Sequence, residues 1–315
     1  TFMDTLMVST YRGDGSLIAG GADQHIYLNG DTVAILDATG GLKVLHGNLT
    51  VDSLFLSSAS IVTDTNRLLI TGAIEGFGTD SYIIGALART GSDSLVYPIG
   101  DATTYTPVVL SSISGTSPVI AVGYVTGDPT ATAGYGLLDV SANQYWQVSE
   151  ASGTFTSALV QLPTINETVV TDIAEASVAY GTATGERFTG LGNASTTGTI
   201  ASGSVLSETP GVAGIYAIGR YFDETLRVQD SLALVSIYEN AGGANWTASS
   251  GWTTANLDGW DRISLFEKRV TEVNLSFNNL VGVVPDISSG LELVTNLNLS
   301  NNELTDIGDL SNLSS

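Results

Sequence analysis

Val270 to Leu304 carries the same eleven-residue pattern twice. The first copy reads VTEVNLSFNNL from Val270 and the second VTNLNLSNNEL from Val294, 24 residues on. Val270, Val273, Leu275, Asn278 and Leu280 fall on Val294, Leu297, Leu299, Asn302 and Leu304. Thr271, Asn274 and Ser276 recur as Thr295, Asn298 and Ser300. Self-similarity at a fixed period of roughly 20–50 residues marks stacked coils, each burying its apolar side against the next. The apolar residues at the fourth and sixth places point the same way from a short strand. The Asn that follows turns inward, where its amide has to satisfy backbone groups of neighbouring turns.

Composition narrows the rest. Charged residues are only 13% of the chain, against about a quarter in ordinary domains, so Ser, Thr, Asn and Gly must form most of the polar surface. With 36 glycines and few helix-favouring runs, the chain reads as β-rich and turn-rich. The net charge of −22 repels phosphate backbones and anionic lipid, which excludes nucleic acid and acidic membrane surfaces as partners. There is no Cys, hence no disulfide framework and no thiol chemistry. No apolar run is long enough to span a bilayer, so no membrane insertion is expected.

Taken in order, residues 1–95 are short β segments punctuated by Gly, Asn and Asp, fitting a short β-solenoid or a β-sandwich. The brevity of the segments favours the solenoid. Residues 96–220 supply enough strands for an Ig-like β-sandwich, with Tyr145 and Trp146 as its large aromatic core residues and Leu138 to Val140, Leu159 and Val178 as neighbours. Residues 221–229 read as a charged connector. A helix is expected from Asp230, capped by Asp230 or Ser231, with Leu232, Val235 and Ile237–Tyr238 as its apolar face and Gly242–Gly243 at its end. Residues 221–269 thus form a helical cap with Trp246, Trp252 and Trp260, and 270–315 form the repeats.

The repeat and the segment before it resemble plant-type leucine-rich repeats and their N-terminal cap. The period lies in that family's range of roughly 20–29 residues. Gly282, Val284 and Pro285 match its LxGxIP element, and Ala233-Leu234, Tyr238, Asn245-Trp246, Gly251-Trp252 and Trp260 match the cap. Two departures stand out: Asp306 and Asp309 replace Gly and Pro in the second copy, and Arg262 stands where the family often has Gly. Further upstream, YPIGDATTYTPVVL, QYWQVS and LGNASTTGTIAS are similar to segments of large secreted surface proteins of Bacteroidota. That resemblance implies export by type IX secretion, an extracellular or cell-surface location, and adhesive or scaffolding roles. It also implies O-glycans at Asp-Ser/Thr-apolar triplets, which occur at Thr5, Thr32, Ser53, Ser94 and Ser231.

No nucleophile elbow, P-loop, dinucleotide fingerprint or zinc motif appears, so a non-enzymatic protein without cofactor is expected. Calcium suits an acidic β protein, but no turn carries enough carboxylates to assign it. Two His, His25 and His46, without Cys make a poor ligand set, and structural positions are expected for both. The leading function is an adhesin or scaffold that binds a protein or glycan, or associates with itself, through the strand face of the repeats. Thr271, Glu272, Asn274, Ser276, Thr295, Asn296, Asn298 and Ser300 would line that face. The alternatives are a targeting appendage of a secreted hydrolase and a carbohydrate-binding module. Ile307, Leu310 and Leu313 continue the apolar spacing, so further coils or a neighbouring subunit are expected to cover the second repeat.

Overall fold

The computed structural model describes residues 4–7, 15–27, 30–254, 256–287, 289–311 and 313, with backbone alone at 4–7 and 31. The chain is mainly β and divides into two compact units, Thr1–Tyr221 and Phe222–Ser315.

The first unit begins as a β-solenoid-like stack of parallel strands held in register from coil to coil. Leu17 lies beside Leu36, Leu36 beside Leu54, and Leu54 beside Ile74. Leu49, Leu68 and Leu87 make a second column. Rungs therefore recur every 18 to 20 residues, and every one of these side chains is buried. Alternation within short stretches, interrupted by a two-residue outward step at each corner, makes the stack possible. Along the strand Leu49–Val62, the side chains of Leu49, Val51, Leu54, Leu56, Ala59 and Ile61 turn inward. The corners stack just as closely. Gly40 and Gly41 both adopt φ +64°, and a Cβ on Gly40 would lie 2.7 Å from the Gly21 carbonyl of the preceding coil, so glycine is required there.

Lys43 breaks the apolar rule. Its register column continues through Ile61, Ile83 and Ile99, and its stem is fully buried. Its ammonium reaches the corner, where it donates to the carbonyls of Gly21, Ala22 and Gly40. Burial lowers its pKa, with Asp23 pulling the other way.

Parallel stacking ends at an antiparallel cover. The long strand Val108–Thr126 pairs with both Leu87–Thr90 and Leu95–Tyr97, and Gln144–Pro163 pairs along its length. Residues 95 and 96 lie within one strand, and Tyr97, Ile120 and Trp146 share a single buried core with Leu36 and Leu54. Ala176–Gly181 and Gly214–Tyr221 extend the sheet, placing Val178 and Ile218 in that core. Their opposite face holds a smaller core of Leu137, Val140, Ala179, Phe188, Ile215 and Ala217. Trp146 is buried in the large core, while its neighbour Tyr145 packs on the small one, as alternation dictates.

A polar node braces this cover. Gln144 donates to the Glu167 carboxylate at 2.7 Å and to the Ile165 carbonyl at 2.6 Å, and accepts from the Tyr124 hydroxyl at 2.8 Å. Glu167 Oε2 has no partner among the described residues. Burial pushes the carboxyl up to about 7, although the hydrogen bonds around it favour the ionised form.

In the second unit the helix runs Glu224–Asn240, so the expected connector 221–229 is largely helical. The reason lies in the cap. Asp223 accepts from the Thr225 amide at 2.9 Å, and the run ETLRVQD contains no Gly or Pro to stop a helix. Asp230 is therefore not a cap. It is fully buried and receives Arg269 Nε at 2.7 Å and Nη2 at 3.1 Å, with the amides of Val270 at 3.1 Å and Leu291 at 2.9 Å. The buried face shifts accordingly to Asp230, Ala233, Leu234 and Ile237, and Leu232, expected inside, is 62% exposed. Gly242, at φ +72°, turns the chain after the helix.

Trp246, Trp252 and Trp260 are buried with Val270, Val273 and Leu275. Adjacent rings lie 4.8 and 5.1 Å apart between centroids, and each indole N–H has an acceptor: Ala241 O, Asp261 O and Thr254 Oγ1. Polar satisfaction of this kind is what a buried indole requires. The two repeat copies stack in parallel at the expected register, with Glu272 beside Asn296, Val273 beside Leu297 and Asn274 beside Asn298. Asn302 donates to Leu275 O and Leu299 O, each at 2.8 Å, and accepts from the amides of Asn278 and Leu280, each at 3.0 Å. Asn278 makes the equivalent bridge one step back, to both backbone groups of Ala248.

Candidate binding face

The outward side of the repeat strands is a flat polar surface. Its strands are Arg269–Asn274 and Asn296–Asn298, joined on one flank by the antiparallel strand Ile263–Phe266. Ser264, Glu272 and Asn296 stand in one row across the three strands, and Asn274 and Asn298 stand in the next. Of the eight residues expected on this face, Glu272, Asn274, Thr295, Asn296 and Ser300 are exposed, and Thr271, Ser276 and Asn298 are half-buried. The hydroxyls of Thr271 and Thr295 donate to the carbonyls of Ser264 and Thr271, so both serve the coil backbone.

The Asn-x-Ser element has a defined local geometry. Asn274 Oδ1 accepts from Ser276 Oγ at 2.8 Å and from its amide at 3.3 Å. Asn298 Oδ1 accepts from Ser300 Oγ at 2.8 Å and from its amide at 3.1 Å. Both are Asx turns, in which a short side chain stands in for backbone. The amide oxygens are thereby consumed, and the two Nδ2–H₂ groups make no hydrogen bond among the described residues. Amide orientation follows from this network. The face therefore presents neighbouring donors, with one carboxylate, Glu272, which also receives Ser264 Oγ at 3.2 Å.

Two contributors were not legible beforehand. Ser264 belongs to a strand absent from the repeat pattern. Arg262 takes φ +66°, the left-handed conformation that Gly adopts freely, and its guanidinium donates to Ser276 O at 2.9 Å. Phe277 (70% exposed) follows the first Asx turn in sequence and leaves an aromatic ring open to solvent. A hydrogen-bonding row and an exposed ring together suit a ligand with acceptor groups along one edge and an apolar face.

The expected glycan acceptors have varied surroundings. Thr32 and Ser94 are exposed; Ser53 is half-buried; Ser231 lies in the helix and donates to Val228 O at 2.8 Å; the Thr5 side chain lies outside the described residues. No group of three or more His, Asp or Glu side chains that could hold a metal ion occurs among the described residues. No described helix is long and apolar enough to cross a membrane. No family model matches the chain, and no curated protein or solved structure is detectably similar to it.

Proposed function

We propose that this chain is a non-enzymatic binding or scaffold protein of the extracellular space or cell surface, and that the polar strand face of the second unit is its binding surface. The reading rests on one observation: the Asx turns at Asn274 and Asn298 repeat in register and leave two amide donors facing solvent. In this reading the second unit is a leucine-rich repeat stack whose helix and tryptophans are its N-terminal cap. The antiparallel segment of the first unit closes the β-stack instead of forming a free-standing Ig-like sandwich. Type IX export and O-glycans at Thr32 and Ser94 accompany the proposal, and intact mass of natively sourced protein tests the glycans.

The ligand is a glycan, or a protein segment with exposed carbonyls, that accepts from Asn274 and Asn298 and rests on Phe277. The test is a binding screen of the full chain against glycans, matrix proteins and itself. Binding should be lost in Asn274→Asp/Asn298→Asp, which keep the turn acceptors and remove the two amide donors, with thermal stability little changed. A wild-type chain that binds none of these would overturn the proposal.

A further inference from the structure

The chain contains only two histidines, and the β-stack brings them together. His25 lies in the strand Gln24–Tyr27 and His46 at the end of Asp31–His46. These strands pair in parallel, with His25 beside Val44 and Tyr27 beside His46. His25 and His46 are thus diagonal neighbours on adjacent rungs. One rung across, about 4.8 Å, and two residues along, about 6.6 Å, put their backbones roughly 8 Å apart, a gap that two imidazole side chains leaning toward each other can close.

The rings meet in a particular way. His25 Nδ1 and His46 Nε2 are 2.6 Å apart, the ring centres are 4.8 Å apart, and the planes differ by 25°. With nitrogens this close and centres this far apart, the imidazoles lie edge to edge and not face to face. Each therefore aims an in-plane nitrogen at the other, and one lone pair and one N–H share the gap. Tyr27 stacks on His46 with centres 4.5 Å apart and planes 11° apart, which fixes the orientation of the His46 ring. Tyr27 and His46 are exposed and His25 is half-buried, so the gap is open to solvent.

A proton bridging two imidazole nitrogens occupies the place a metal ion takes in a bis-histidine chelate. Metal–nitrogen bonds of about 2.0–2.1 Å at a tetrahedral angle need the nitrogens about 3.3 Å apart. Small χ rotations of two partly exposed side chains supply that opening without moving the strands. Nitrogen ligands select borderline ions, of the zinc, nickel and copper kind, over calcium or magnesium. The charge of −22 raises the local concentration of any cation. The two imidazole nitrogens are the protein ligands of this site.

We propose that His25 Nδ1 and His46 Nε2 form a two-nitrogen site for a divalent transition-metal ion; the proton in the gap moves by tautomerisation to the far nitrogen of the ring that carried it, so that both facing lone pairs bind the metal. The site lies in the first unit and is independent of the binding face described above.

The test is titration of the chelator-treated full chain with Cu²⁺ and Ni²⁺ near neutral pH, alongside Ca²⁺. One saturable equivalent of Cu²⁺ is expected, with paramagnetic resonance showing two imidazole nitrogens. His46→Gln and His25→Gln should each weaken it by about tenfold or more while leaving circular dichroism unchanged. Calcium binding should be the same in all three proteins. If a variant fails to fold, the resonance spectrum of the wild type decides alone. Oxygen-only coordination, or equal copper affinity in well-folded variants, would overturn the proposal.

Discussion

Two regions of this molecule stack parallel coils, and their coils are covered differently. In the first unit the last coil is covered: the antiparallel strand Val108–Thr126 lies on Leu87–Thr90 and Leu95–Tyr97, and Leu87, Leu95 and Tyr97 are buried. In the second unit the first repeat is enclosed between the tryptophan cluster and the next coil, and Val273, Leu275 and Leu280 are fully buried. The matching residues of the second repeat, Leu297, Leu299 and Leu304, are only half-buried. Identical sequence positions thus carry different energies. A Leu contributes according to the apolar area removed from water, and that area depends on what covers both sides of its coil.

The sharpest way to break the second unit is at Asp230. Asp230→Ala strands the buried Arg269 guanidinium and two backbone N–H groups, and should cost about 3–5 kcal/mol. Trp246, Trp252 and Trp260 should then become accessible to acrylamide in urea well before Trp146 does. Simultaneous exposure of all four would show that the two units unfold as one.

The comparison of coils is tested directly by Leu275→Ala against Leu299→Ala. The first should cost about 2–5 kcal/mol, as fully buried Leu sites do, and the second about half of that or less. Equal losses in chemical denaturation would mean that the second coil is covered as well as the first.

The cover of the first unit can be loosened by pH. The folded Glu167 carboxyl titrates near 7, above its ordinary value of 4.5. The folded state therefore holds a proton that the unfolded state has released, and stability falls as pH rises from about 4.5 to about 7. Glu167→Gln keeps the shape without the ionisation. It should abolish that decline and gain on the order of 2–3 kcal/mol above neutral pH. A pH-independent wild type would show that Glu167 finds a donor for its second oxygen.

The smallest effect is in exchange rates. Amides of Val273 and Leu275 should exchange more slowly than those of Leu297 and Leu299, by roughly tenfold to a hundredfold if local opening differs by about 1.4–2.8 kcal/mol. Uniform protection across both coils would remove the contrast.

What the sequence by itself determined is what repeats locally. The 24-residue offset sets the register of Glu272 with Asn296, and the inward Asn at 278 and 302 follows from the same spacing. Buried tryptophans follow from their crowding next to an apolar repeat. Most of the candidate face was legible for the same reason, since outward residues alternate with the apolar ones. The 18–20-residue period of the first unit was not legible as a motif, because Leu17, Leu36, Leu54 and Ile74 share only an apolar side chain, and coil length varies by a residue or two. Only the tertiary structure decided what stacks on what. It put Lys43 in an isoleucine column, set Asp230 against Arg269 across 39 residues, and joined His25 to His46 across 21. Alternation fixes which way a side chain points, but its neighbour on the next rung depends on the summed length of every intervening turn.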